Sequence, residues 1–97
     1  MNPSTESRLR FALGQVVATP GALAALLQAG QTPFEFLERH VVGDWGELEP
    51  QDVQANEDAL QRGGRLLSRY RTRQGVVVWL ITEWDRSATT LLLPMEY

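Results

Sequence analysis

The sequence predicts an α+β fold, in which about three N-terminal helices pack on a C-terminal antiparallel sheet of three to four strands. Pro20, Pro33 and Pro50 each lie where a helix would begin, and all three precede residue 64. Proline is tolerated there because the first turn of a helix leaves its N–H groups unpaired. After residue 64 the apolar residues alternate, as in strands. Helices and strands therefore occupy separate blocks of the chain.

The helical patterns cover residues 20–29, 33–41 and 50–62. The first two are expected to bury apolar side chains that lie three or four residues apart. These side chains are Leu23, Leu26, Leu27, Phe34, Leu37 and Val41. In the third pattern Asn56 lies on the apolar side, so we expect it to be buried and to bond to the backbone of residues 43–46.

The strand patterns cover residues 65–71, 76–84 and 89–93, and residues 15–18 are extended enough to add a short first strand. Residues 76–84 are β-branched and aromatic on both faces, which is typical of a central strand. Residues 89–93 are then expected at a sheet edge. Because that strand is apolar, it could pair with a second copy and form a homodimer.

The chain has 97 residues, which predicts one domain, residues 13–97, after a flexible tail, residues 1–12. It has no cysteine, which excludes disulfides, thiolate metal sites and cysteine nucleophiles. Its longest apolar run, residues 76–82, is far shorter than the roughly 20 residues that span a membrane. We therefore expect a cytoplasmic protein that has no membrane segment, no cofactor and no bound metal.

Charge is unevenly distributed although the net charge is only −3. Residues 44–58 hold six acids and no base, whereas residues 62–73 hold five arginines and no acid. The two runs could be solvated faces that partly neutralise each other. Alternatively, the acidic run could present carboxylates to a protein that normally handles nucleic acid.

A candidate site lies in residues 39–48, which contain the only histidine and one of the three tryptophans. Tryptophan and arginine are favoured anchors of protein interfaces, so we predict a binding surface for a protein partner. Its predicted residues are Asp44, Trp45, Glu47, Arg69, Trp84 and Arg86. The alternative for Trp45 is a core position against the third helix.

An enzymatic alternative is a metal-independent ribonuclease, similar in outline to the barnase-like toxins. It would use His40 and Glu83 as acid and base, with Arg65 and Arg86 holding the phosphate. The alternative for His40 is a cap on the last turn of its helix.

A weaker alternative is a DNA-binding regulator, because the first two helical patterns have helix-turn-helix spacing. In the second helix, however, the acidic Glu35 and Glu38 oppose the basic Arg39 and His40.

Four segments carry a resemblance to a known family. They are residues 14–23 (GQVVATPGAL), 39–48 (RHVVGDWGEL), 65–70 (RLLSRY) and 78–97 (VWLITEWDRSATTLLLPMEY). The chain resembles a family of small bacterial proteins found with plasmids and other mobile elements, often labelled "type I restriction endonuclease subunit M". A DNA methyltransferase of that kind needs a glycine-rich cofactor loop and an Asn-Pro-Pro-aromatic loop, and this chain has neither. The resemblance therefore implies a restriction, defence or nucleic-acid-processing partner rather than that activity.

Overall fold

The computed structural model describes residues 9–97, which form three α-helices, four β-strands and a C-terminal 3-10 helix. In chain order these are β1 (Gln15–Ala18), α1 (Pro20–Gln28), α2 (Pro33–Val41), α3 (Pro50–Arg62), β2 (Leu66–Arg71), β3 (Val77–Thr82), β4 (Ala88–Leu92) and the 3-10 helix Pro94–Glu96. The predicted helix starts are confirmed, because every α-helix begins at its proline. None of the described helices is long and apolar enough to cross a membrane.

The predicted tail, residues 1–12, lies mostly outside the described residues. Its described end contacts the domain. Arg10 pairs with Glu57 at 2.8 Å, and the ring of Phe11 stacks on that of Trp45 with centroids 6.0 Å apart. Contacts with the folded domain therefore begin before residue 13.

The strands form one sheet in the order β1-β4-β3-β2. The α+β class is confirmed, and β2, β3 and β4 are antiparallel as predicted. The sheet is mixed, however, because β1 runs parallel to β4. The prediction that residues 89–93 form an edge is wrong for the same reason: β1 covers the side of β4 that faces away from β3.

The two faces of the sheet differ in what covers them. The inner face carries Ala18, Leu66, Ser68, Tyr70, Val78, Leu80, Thr82, Thr89 and Leu91, and the outer face carries Val17, Leu67, Arg69, Trp79, Ile81, Thr90 and Leu92. Helices α1 and α2 pack on the inner face through Ala22, Leu26, Phe36 and Leu37. A second cluster joins α3 to the inner-facing Leu66. No described α-helix packs on the outer face, although the C-terminal 3-10 helix contacts β3.

The predicted apolar faces of the first two helices are only partly correct. Leu26, Leu37 and Val41 are buried, but Leu23, Leu27 and Phe34 are 47%, 80% and 73% exposed. Alanines take the place of leucines on the buried side of α1, where Ala22 and Ala25 meet the core. In α2 the buried aromatic residue is Phe36, whose ring stacks on that of Tyr70 at 5.1 Å.

The edge of β2 is capped by a side chain of α3. Asn56 is buried; its amide N–H donates to the carbonyl of Leu67 at 2.7 Å, and its oxygen accepts from the Leu67 N–H at 3.0 Å. The expectation that Asn56 is buried and bonds to backbone is correct, but residues 43–46 are not its partner. The amide instead occupies the place that a further strand would take.

The loop after α2 pairs with the next residue of β2, Arg69, whose backbone groups point away from β3 at the edge of the sheet. The Arg69 N–H donates to the carbonyl of Trp45, and the Glu47 N–H donates to the carbonyl of Arg69, at 3.0 and 2.7 Å. Gly46 lies between these contacts with φ of 76°, and an added Cβ would overlap the Arg69 carbonyl. Glycine is therefore required at this bridge.

Replacing Asn56 tests the cap on β2. We expect Asn56→Ala to lower the free energy of unfolding by about 2–3 kcal/mol, because it leaves the Leu67 N–H and carbonyl without their partner. The matched control is Gln54→Ala, on the exposed side of the same helix, which should change it by less than about 0.5 kcal/mol. Urea unfolding measures both, and equal losses would contradict the assigned role of Asn56.

Candidate functional site

His40 is a core residue. Its side chain is fully buried, with Nδ1 2.5 Å from the Ser68 hydroxyl and Nε2 2.9 Å from the Thr82 hydroxyl. The rings of Phe11 and Trp45 pack edge-on against it, at 5.0 and 5.7 Å. Burial lowers the pKa of His40 to about 3, so the imidazole is neutral at neutral pH. It is neither a helix cap nor an accessible acid or base.

The buried hydroxyls determine the tautomer of His40. The Thr89 hydroxyl donates to the carbonyl of Leu13 at 2.7 Å, so towards the Thr82 hydroxyl, also at 2.7 Å, it accepts. The Thr82 hydroxyl therefore donates its one proton to Thr89, so towards His40 it can only accept. Nε2 therefore carries the imidazole proton, and Nδ1 accepts from Ser68. This one-way chain of hydrogen bonds ties α2 to β2, β3 and β4.

The predicted ribonuclease residues do not form one site. Glu83 follows the inner-facing Thr82 and pairs with Arg65 at 3.7 Å, so its carboxylate is directed to the outer side of the sheet, away from His40. The Arg86 guanidinium donates to carbonyls of the chain itself, including those of Gly64 at 2.6 Å and Ala59 at 3.2 Å. These bonds join the turn after β3 to the end of α3, so the guanidinium is occupied within the fold and is not placed to hold a phosphate.

Trp45 lies in the core, which is one of the two positions predicted for it. It is 5% exposed, packs with Ala59 and Leu66, and donates its indole N–H to Glu57 at 3.2 Å. The interpretation of Trp45 as an exposed interface anchor is therefore wrong. Trp84, in contrast, is 68% exposed.

Three of the predicted binding residues meet in a polar groove, which we call the loop groove. Asp44, Glu47 and Arg69 line it together with Arg39, Gly46, Tyr70 and Arg71, around a volume of about 280 Å³. Asp44 pairs with Arg39 and Glu47 with Arg71, both at 2.8 Å. The hydrogen bond from Arg39 holds the pKa of Asp44 below its usual value. The acids of this groove are therefore already neutralised, and the Arg71 pair links the acidic run to the arginine run.

A second groove, on the outer face, was not predicted. This outer-face groove has a volume of about 240 Å³ and is lined by Arg65, Leu66, Leu67, Trp79, Ile81 and Tyr97. The Tyr97 ring stands edge-on to Trp79 at 5.7 Å, and Arg65 donates to the Tyr97 hydroxyl at 2.8 Å. The groove thus combines an aliphatic floor, two aromatic rings and a guanidinium.

Arg69 and Trp79 are neighbours across β2 and β3, so Arg69 joins the outer-face groove to the loop groove. The guanidinium of Arg69 makes no ion pair or hydrogen bond within residues 9–97, unlike that of Arg71. The buried indole N–H of Trp79 likewise has no acceptor in the described part of the chain. Buried donors are nearly always paired in folded proteins, so a buried indole N–H without an acceptor in this part of the chain is unusual.

Helix α2 does not present a base-reading surface. Its His40 is buried, and Arg39 is held by Asp44 and lies over the ring of Tyr70 at 4.4 Å. Its remaining charged residues are the acids Glu35 and Glu38. In addition, residues 9–97 hold no group of three or more histidine, aspartate or glutamate side chains that could bind a metal ion.

Comparison with protein-family models, with curated proteins and with solved structures gives no match for this chain.

Proposed function

We propose that this protein is a non-catalytic interaction module that binds a partner protein through the outer face of its sheet. The observation that supports this is an apolar row of three aliphatic side chains and one threonine, Val17-Thr90-Ile81-Leu67, which crosses all four strands and has no described α-helix over it. Val17 is 44% exposed at one end of the row, whereas Ile81 is 7% exposed. Surfaces of this kind, with tryptophan, tyrosine and arginine beside aliphatic residues, are typical of interface centres.

The groups around this row favour one kind of partner segment. Within residues 9–97 the Arg69 guanidinium has no hydrogen-bond or ion-pair partner, and the indole N–H of Trp79 has no acceptor. Arg65 has only a long ion pair, 3.7 Å, with the partly exposed Glu83. Donors therefore exceed acceptors on this face. A segment that places apolar side chains in the outer-face groove and a carboxylate near Arg69 would complement it.

The family resemblance suggests where such a partner belongs. A restriction, defence or nucleic-acid-processing protein of the host of a mobile element is the partner that we propose. This chain would then act by covering a surface of that protein, since the outer-face groove contains no acid-base pair or nucleophile in a catalytic arrangement.

The experiment is affinity capture from the native host with matched charge variants. The tagged wild type, Arg69→Glu and Arg62→Glu are compared, because Arg62 is exposed at the end of α3 and lines neither groove. We expect one protein to be retained by the wild type and by Arg62→Glu. Arg69→Glu should lose it, with at least about 30-fold weaker binding, the size expected of an interface hot spot.

A second pair of variants keeps the charge constant. Tyr97 and Phe34 are aromatic residues with 68% and 73% exposure, the first on the outer-face groove and the second at the start of α2. We expect Tyr97→Ser, and not Phe34→Ser, to weaken binding. A partner that is lost with Phe34→Ser or Arg62→Glu and retained by the outer-face variants would contradict the proposal.

A further inference from the structure

We propose that the protein forms a two-fold dimer in which the β1 strands of two copies pair antiparallel, edge to edge. This inference is independent of the proposed function. The sequence predicted residues 89–93 as the strand that pairs with a second copy, but they lie inside the sheet. The strand at the edge, and the one proposed here to pair, is residues 15–18.

One edge of the sheet is open and the other is closed. The Gln15 N–H donates to the carbonyl of Ser87, just before β4, and the Thr19 N–H donates to the carbonyl of Leu91 in β4. In the parallel ladder between these two bonds, the backbone groups of Val16 and Ala18 therefore point away from β4. On β2 the corresponding groups of Leu67 and Arg69 are taken by Asn56 and by the loop after α2. Within residues 9–97, β1 is therefore the edge that can accept another strand.

The composition of β1 suits pairing with itself. Edge strands are normally protected by charges, proline or bulges, but the four residues of β1 are Gln, Val, Val and Ala. A two-fold axis brings the same strand of both copies together, so a charged edge would repel itself. β1 carries no charge, and Val16 and Val17 are both 44% exposed.

The face on which each residue lies determines the register. A two-fold axis through an antiparallel strand pair is perpendicular to the sheet, so the outer face of one copy continues into the outer face of the other. Placing the axis at Val17 sets Val17 opposite itself as a non-hydrogen-bonded pair, and sets Val16 opposite Ala18 as hydrogen-bonded pairs on both sides. The apolar row of the outer face then runs through eight strands.

Association stops at two copies. Because the β2 edge is capped, the dimer offers no further free edge within the described residues, and the assembly closes. Both outer-face grooves then lie on the same side of the continuous sheet. A partner with two copies of the recognised segment would gain avidity from this arrangement.

Single cysteines test the register, since the chain has no cysteine of its own. In the proposed pair the two Val17 Cα atoms lie about 4.5 Å apart, within the range of disulfides. We expect Val17→Cys to form a dimeric disulfide under mild oxidation. Gln15→Cys is the matched control, because its Cα atoms would be about 13 Å apart and should not cross-link. Cross-linking by Gln15→Cys alone, or by neither variant, would overturn this arrangement.

The mass in solution tests the dimer without cysteines. We expect sedimentation or light scattering of the wild type to give twice the chain mass of 10.9 kDa. Val17→Lys should weaken self-association by at least about tenfold, because it places like charges directly opposite one another. Val77→Lys, on β3 and away from β1, should leave it unchanged, and circular dichroism checks that each variant is folded. A wild type that stays monomeric at all concentrations would overturn the proposal, as would a Val17→Lys dimer as tight as the wild type.

Discussion

Acidification is expected to destabilise the folded protein through His40. The pKa of this residue is about 3 in the folded state and 6.5 as an unperturbed group, so below pH 6.5 the unfolded chain binds a proton that the folded chain does not. The stability that the neutral, buried His40 contributes is thus complete above pH 6.5 and is lost as the pH falls towards 3. The loss reaches about 2 kcal/mol near pH 5, and roughly 4–5 kcal/mol once His40 is protonated in both states.

The hydrogen-bond chain gives this loss a structural cause. A second imidazole proton would sit on Nδ1, where the Ser68 hydroxyl now donates, so two donors would face each other in the core. His40→Gln removes the titrating group and serves as the reference. Urea unfolding between about pH 7.5 and 4.5 should show a slope approaching 1.4 kcal/mol per pH unit for the wild type beyond that of the variant. Equal slopes for the two proteins would contradict a neutral, buried His40.

Replacing Trp45 is expected to cost about 3–5 kcal/mol of folding stability, which is typical of a tryptophan-to-alanine change in a core. The indole stacks on Phe11, packs against His40 and closes the cluster that contains Ala59 and Leu66. Denaturant unfolding of Trp45→Ala measures the cost.

Trp84→Ala is the control, because Trp84 is 68% exposed and should contribute less than about 0.5 kcal/mol. If Trp45→Ala unfolds at the same denaturant concentration as Trp84→Ala, the core position of Trp45 is wrong. Trp45 is therefore unsuitable as a probe of partner binding, since its loss would alter the whole domain.

The helices and the class of the fold could be predicted because local signals determine them. Proline at the first helical position and the change of apolar spacing after Gly64 both act within a few residues. The direction of β1 could not be predicted, since nothing in residues 15–18 shows that they would meet β4 in parallel. The packing of α1 through Ala22 and Ala25 depends equally on the surface that faces it.

The site was harder to predict because its decisive contacts are between elements distant in sequence. His40 is in the core because Ser68 and Thr82, on two different strands, provide hydroxyls for both of its ring nitrogens. Trp45 lies between glycines, a pattern typical of an exposed loop, yet Gly46 allows that loop to approach β2.

The outer-face groove was not predicted, because its residues were expected to be covered. The apolar outer positions of β3, such as Trp79, indicated a strand covered on both faces, whereas the described α-helices cover only one. The alternation of residues 65–71 did contain a usable signal, because it places Leu67 and Arg69 together on the face opposite Tyr70. Tyr97 follows the 3-10 helix, and no periodicity links it to Trp79.

Footprinting of the complex with the captured partner tests the central claim most directly. Hydroxyl radicals label exposed aromatic side chains, and Tyr97 and Phe34 are 68% and 73% exposed in the free protein. The outer-face account predicts that bound partner protects Tyr97 while the labelling of Phe34 stays at its free value. Protection of Phe34 with Tyr97 fully labelled would place the partner on the helical side and contradict the account.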